Sequence, residues 1–221
     1  MAHLYAVVGT SRNKKISNKK ITLSELSEEE CYRVTRFPKP AVQELCDLLA
    51  NDLEHPTARS HASPVDAQVL AALQFYASGS FQWMIGRSCG LSQSSVSLAV
   101  EAVTKALVRR APQFISFPTD NPTVIHNKLA FHSIAAFPNV LGAIDCTHVA
   151  IKAPSLNEEA YVNRKGVHTI NVQAVCDMNM KFLDIVAKWP GSSHDAFIWR
   201  TSSLRRLFQE GQLPDGWLIG K

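Results

Sequence analysis

Two aspartates carry the chemistry that this sequence suggests. Asp145 closes the apolar run Val140-Leu141-Gly142-Ala143-Ile144, and Asp195 ends the stretch Gly191-Ser192-Ser193-His194-Asp195. A carboxylate placed directly after an apolar strand must be solvated, hydrogen-bonded or neutralised by a cation. Taken singly, each has a plainer reading: Asp145-Cys146-Thr147 as an Asx-type turn, and Ser193 or Asp195 as the cap of the helix that follows. As a pair they are more pointed. Two carboxylates with phosphate oxygens form the ligand set that Mg²⁺ prefers, and two such ions activate a water or hydroxyl and stabilise the leaving oxygen in phosphodiester cleavage.

The elements that must bring them together are short strands and a helix. Val140 to Ile144 reads as a strand with Asp145 at its end, while His168 to Cys176 and Phe182 to Trp189 alternate apolar and polar residues, with turns rich in Gly, Asn and Asp between them. Connections this short suggest an antiparallel meander. Ser193 to Phe208 reads as one amphipathic helix, with Phe197, Leu204 and Phe208 on one face and Arg200, Arg205 and Arg206 more exposed. Trp217-Leu218-Ile219 begins a further strand. In such a meander the loop before the helix can approach the first strand's carboxylate.

Upstream the period is helical. Val34, Phe37, Val42, Leu45, Leu48, Leu49 and Leu53 recur near helical spacing, interrupted by Pro38 and Pro40, so a helix is expected from about Pro40. A polar stretch from Glu54 to Ser63 reads as a loop, and three helices follow: Val65 to Ala77, Phe81 to Cys89 and Gln93 to Arg110. Gly90-Leu91-Ser92 supplies a residue that tolerates the left-handed turn and one that can cap the next helix. With small Gly86 before that break and Val96 after it, this is a helix-turn-helix pattern. Pro112, Pro118 and Pro122 mark a linker, with a short helix around Asn127 to Ala136.

The expected organisation is therefore a basic, poorly ordered arm over 1–27, a helical region over 28–111, a linker and short helix over 112–138, and a strand-rich domain over 139–221, which the resemblance given next makes a partial RNase H-like nuclease domain. The fold class is α/β (α+β), a helical region followed by an incomplete mixed sheet with helices. No apolar stretch approaches the roughly 20 residues that span a bilayer, and the start has its charges after its short apolar run, the reverse of a secretory signal. Five cysteines, an odd number without CxxC pairing, read as buried thiols. The net charge of +4 agrees with a nucleic-acid partner and equally with plain solubility; Arg12, Lys14, Lys15, Lys19 and Lys20 form either a phosphate-neutralising arm or a solvated tail.

Three segments carry a family resemblance: FPNVLGAIDCTHVAIKAP, YVNRKGVHTINVQAVCD and VAKWPGSSHDAFIWRTSSLRRLF. They are similar to the catalytic region of the PIF/Harbinger DDE transposases and of the nucleases derived from them, and RSHASPVDAQVLAALQFYASGSFQWMIGRSCGLSQSSVS resembles their helix-turn-helix region. The likeness covers almost everything from about Phe37 onward. It implies an RNase H-like core and a metal-dependent DNA endonuclease with Mg²⁺ or Mn²⁺ as cofactor. Asp145 becomes the first metal-binding carboxylate and Asp195 the next acidic ligand, both catalytic. His194 then orients a carboxylate, contacts phosphate or simply packs in the second shell of the site, and Arg164 and Lys165 are phosphate contacts or a solvated loop. Gln93, Ser94, Ser95 and Ser97, leading the second helix of the helix-turn-helix, would face bases or phosphates in a major groove.

The sequence also departs from the family. After Gly216-Trp217-Leu218-Ile219-Gly220 the family pattern has another Asp, in a block similar to GDSGYPL, where this sequence has Lys221; the family's later Glu is absent too. Either that missing Asp or Asp195 is the inner metal ligand. The expectation is a C-terminally truncated core, with impaired or no cleavage and with Phe182, Ile185 and Trp189 facing solvent. The readings are an endonuclease, a non-catalytic DNA-binding or partner-binding protein that keeps the scaffold, or a nonfunctional product. Expected partners are DNA, a Myb-like protein and a second copy of the chain, without a membrane; the expected location is the nucleus, with the cytoplasm as an alternative.

Overall fold

A computed structural model of the chain describes residues 20–54 and 63–220. Most of the basic arm, including Arg12, Lys14, Lys15 and Lys19, and residues 55–62 of the polar loop lie outside the described residues. The chain divides into two compact units, residues 1–110 and 111–221. No helix among the described residues is long and apolar enough to cross a membrane.

The described residues of the first unit form a 3-10 turn (Leu23–Glu25) and five α-helices: α1 (Glu28–Thr35), α2 (Lys39–Leu53), α3 (Val65–Ser78), α4 (Gln82–Cys89) and α5 (Gln93–Phe114), whose last turn runs past the unit's boundary. Sequence periodicity missed α1, whose start is set by a capping box: Glu30 N–H donates to Ser27 Oγ and Ser27 N–H to the Glu30 carboxylate. Pro40 occupies the first turn of α2, where a missing N–H costs nothing. Cys31, Leu49, Val69 and Val103 are fully buried in the core between these helices.

The turn between α4 and α5 forms as its residue types require. Gly90 takes φ +68°, and Ser92 Oγ accepts from Ser95 N–H at 3.1 Å to open α5. At Gly86 the chain turns back so closely that a Cβ there would lie 2.6 Å from the Leu91 carbonyl oxygen. Ile85, Leu91 and Val96 are buried around this corner.

The second unit is a four-stranded mixed sheet with three helices, α6 (Asn121–Ala135), α7 (Asp195–Arg200) and α8 (Ser203–Gln209). The strands β1 (Val140–Ala150), β2 (Thr169–Cys176), β3 (Phe182–Pro190) and β4 (Trp217–Ile219) lie in the order β3-β2-β1-β4. The expected meander β1-β2-β3 is antiparallel throughout, and β4 adds parallel to β1. The fold class is thus mixed α and β.

Four expectations about elements are corrected. Residues 112–138 are mostly helical: α5 runs through Pro112 to Phe114, and Pro122 sits in the first turn of α6, a position that tolerates it. Asp145 is neither at a strand end nor in an Asx turn; β1 continues to Ala150 because Asp145 to Ala150 pair in unbroken register with Ala174 to Thr169. The single helix over Ser193 to Phe208 is two, broken because Ser202 Oγ accepts from Arg205 N–H and starts α8 afresh. Its apolar face also differs: Ile198 and Leu204 are the buried residues, while Phe197 is exposed and meets Trp189 edge-on.

Candidate metal centre

β1 carries Asp145 near its middle and α7 carries Asp195 at its first residue, and both line one cleft of about 530 Å³. Cys146 and Gln173, register partners on β1 and β2, line it as well, as do Trp199 of α7, Phe208 of α8, and Gly216, Trp217, Leu218 and Gly220 in and beside β4. By strand alternation Asp145 belongs to the face of Ala174 and Ile185, opposite to that of Cys146. Asp145 nonetheless lines the cleft together with Ile144 and Cys146, just beyond the point where the paired register of β4 with β1 ends at Ala143 and Ile219.

Both carboxylates are exposed and both are hydrogen-bonded. Asp145 Oδ1 accepts from the Cys146 N–H at 2.8 Å, and Asp195 Oδ1 accepts from Asn171 Nδ2 at 2.8 Å. Cys146, the residue after Asp145 on β1, lies close enough to Asp195 to feel its charge. Burial, then the negative charge of Asp195 and more weakly that of Asp145, push its thiol up to about 11.

The loop that delivers Asp195 is pinned from three sides. Ser192 N–H donates to the Ala160 carbonyl at 3.1 Å, Ser193 N–H to the Pro190 carbonyl at 2.9 Å, and the Ser193 carbonyl accepts from Asn171 Nδ2 at 2.9 Å. His194 is the N-terminal cap residue of α7; its carbonyl accepts from Phe197 and Ile198, and its ring makes no cap bond. It is exposed and does not line the cleft, and neither Ser193 nor Asp195 is the cap.

The other sequence candidates stand elsewhere. Arg164 and Lys165 are exposed at a tight turn closed by the Val162–His168 bridge, with Asn163 Oδ1 accepting from Lys165 N–H and Gly166 at φ +74°. Gln93, Ser94 and Ser97 are exposed at the start of α5, whereas Ser95 is spent on the cap with Ser92.

The residues that sequence reasoning missed are the polar ones of β2. Its alternation is inverted: Thr169, Asn171 and Gln173 are buried, and Ile170 and Val172 are the partly exposed ones. The usable signal was Asn and Gln two apart in a strand that must pack a helix. Gln173 Oε1 is buried without a hydrogen-bond partner, although Gln173 lines the cleft.

Two carboxylates and an amide oxygen are hard oxygen donors, suited to Mg²⁺ or Mn²⁺, which are commonly held by one or two carboxylates with water and substrate phosphate completing the shell. Among the described residues no group of three or more His, Cys, Asp or Glu is assembled. The donor set fits such an ion through Asp145 and Asp195.

Residues 144–220, which include both aspartates, match the family model described as DDE superfamily endonuclease. A rat protein named "Putative nuclease HARBI1" is 43% identical over 198 residues, covering 90% of this chain and 57% of the relative; the human protein of that name matches to the same extent. The chain belongs to the Harbinger transposase-derived nuclease family. A more distant relative is the Arabidopsis protein named "Protein ALP1-like", 28% identical over 190 residues, 83% of this chain and 46% of that one. The chain spans 57% of the length of the Harbinger-derived relatives it matches. No solved structure matches it.

Proposed function

We propose that this chain carries the Asp145–Asp195 part of a metal-dependent DNA endonuclease site of the Harbinger class. The observation that carries the reading is the convergence of two sequence-distant aspartates on one cleft at the edge of β1. The order β3-β2-β1-β4, with β4 parallel to β1, supports an RNase H-like core.

In this mechanism Asp145 and Asp195 would hold a divalent ion, and the chemistry it would supply there is Lewis-acid activation of water and stabilisation of a leaving phosphate oxygen. Asp145 is kept in place by the Cys146 N–H and Asp195 by Asn171, so the carboxylates enter the complex already oriented. Trp199 and Phe208 make part of the wall apolar, which would limit solvent access to an ion held there. Arg164 and Lys165 contact the DNA backbone, and Gln93, Ser94 and Ser97, with Ser95 beside them, face bases or phosphates in a major groove from the start of α5.

The test is nicking of supercoiled DNA with Mg²⁺ or Mn²⁺, in this chain and in a form extended at its C terminus to the length of the relatives. Asp145→Ala and Asp195→Ala are each compared in whichever form cuts. Loss of cutting in both variants is the expected result. Equal cutting by Asp145→Ala removes Asp145 from the site.

A further inference from the structure

Asn171 lies in the middle of β2, with no exposed surface, between the register partners His148 and Trp189. Its Nδ2 makes two hydrogen bonds, 2.8 Å to Asp195 Oδ1 and 2.9 Å to the Ser193 carbonyl oxygen. Its own Oδ1 is buried and unpaired. A buried acceptor without a donor is unfavourable, and an aliphatic side chain of similar volume would avoid it. Packing therefore does not account for an amide here. What the amide adds is its NH₂ group, given wholly to the loop and the carboxylate at the start of α7.

The choice of a neutral donor has a chemical consequence. An arginine or lysine in the same place would hold Asp195 just as firmly, but its positive charge would compete with a bound cation. An amide donates without adding charge, so the carboxylate keeps its full negative charge for a metal. Because one NH₂ spans both the Ser193 main chain and the Asp195 side chain, it also fixes the carboxylate against the backbone that carries it. Groups that orient a metal ligand in this way commonly change metal affinity by 10–100-fold when removed.

We infer that Asn171 is the positioning residue of the Asp195 carboxylate, committing Oδ1 to the protein and orienting the remaining oxygen toward a divalent cation in the cleft. The inference rests on the metal-site reading given under the proposed function. Its test is Mn²⁺ binding followed by the loss of the free-ion electron paramagnetic resonance signal, alongside thermal unfolding, for the chain and its Asp145→Asn, Asn171→Leu and Asn171→Ser variants.

Expected are saturable Mn²⁺ binding by the chain, its loss in Asp145→Asn, and binding weakened about tenfold or more in Asn171→Leu, which stays folded although the Ser193 carbonyl loses its donor. Asn171→Ser keeps a donor and falls between the two; it also serves in place of Asn171→Leu should the latter not fold. Unchanged affinity in a folded Asn171 variant, with binding still abolished by Asp145→Asn, overturns the role of Asn171 and leaves the metal site standing. Absence of saturable binding in the chain, or equal binding by Asp145→Asn, overturns the metal-site reading and this inference with it.

Discussion

A methyl group added to Gly191 would lie 2.2 Å from Thr169 Oγ1 and 2.5 Å from the Tyr161 carbonyl oxygen. The glycine of the loop before Asp195 is thus wedged against β2 and the 3-10 turn Glu158–Tyr161, with two of the three nearest obstructing atoms, the Tyr161 and Thr169 carbonyl oxygens, in the backbone. Gly191→Ala must displace the loop, at a cost of about 1–3 kcal/mol for overpacking. The unfolding midpoint should drop by several degrees, and Mn²⁺ binding at the cleft should weaken with it. A midpoint equal to that of the parent would mean that the loop gives way freely.

Asp184 should lower stability at neutral pH. It is half-buried on β3, its Oδ2 is enclosed without a partner, and burial raises its carboxyl above the ordinary range. A folded-state value above the unfolded one means that the folded chain holds the extra proton in the window between them. Stability therefore falls as pH rises through that window and stays reduced above it. Asp184→Asn should be more stable than the parent at pH 7, by about 1 kcal/mol or less because the group is partly solvated. The two should converge near pH 3, and thermal melts at the two pH values provide the check.

The sequence made the elements legible wherever a local rule decided them. The α4–α5 corner follows from Gly86, Gly90 and Ser92, each of which performs the steric or capping role its side chain allows. The strands followed from their period, yet the inward face of β2 did not. Alternation identifies a strand without saying which set of residues is inside, and here α7 and the cleft bury the polar set. Asp145 and Asp195 stood out as acids beside apolar runs, whereas Cys146, Asn171 and Gln173 became part of the site only through the register of β1 with β2. The break between α7 and α8 was hidden because Phe197, Leu204 and Phe208 hold helical spacing across Ser202, which caps the second helix.

Cys146 offers a chemical measure of how close Asp195 lies. With its thiol pushed up to about 11, it should react with iodoacetamide at pH 8 roughly a hundredfold more slowly than a thiol of ordinary acidity, since the thiolate is the nucleophile. Burial is the first cause and the Asp195 charge the second. Neutralising that charge lowers the thiol toward its ordinary value and raises the thiolate fraction. Asp195→Asn should therefore speed labelling of Cys146, mapped by mass spectrometry, by about threefold to tenfold, with Cys176 as the internal reference. Equal rates at Cys146 would place the two groups farther apart than the cleft geometry has them.

Arg164 and Lys165 test whether the hairpin tip meets DNA. Both are exposed, and the turn that presents them is held by Asn163 and Gly166 without their side chains, so alanine at either position leaves the backbone supported. A residue that neutralises a phosphate releases a condensed counterion, and the slope of log K against log salt changes by about 0.9 for each such contact on duplex DNA. The double variant Arg164→Ala, Lys165→Ala should lower that slope by about 1.8, weakening binding alike on unrelated sequences. Gln93→Ala and Ser97→Ala, at the exposed start of α5, should instead reduce discrimination between sequences while changing the slope little. An unchanged salt slope in the double variant would return Arg164 and Lys165 to the solvated-loop reading.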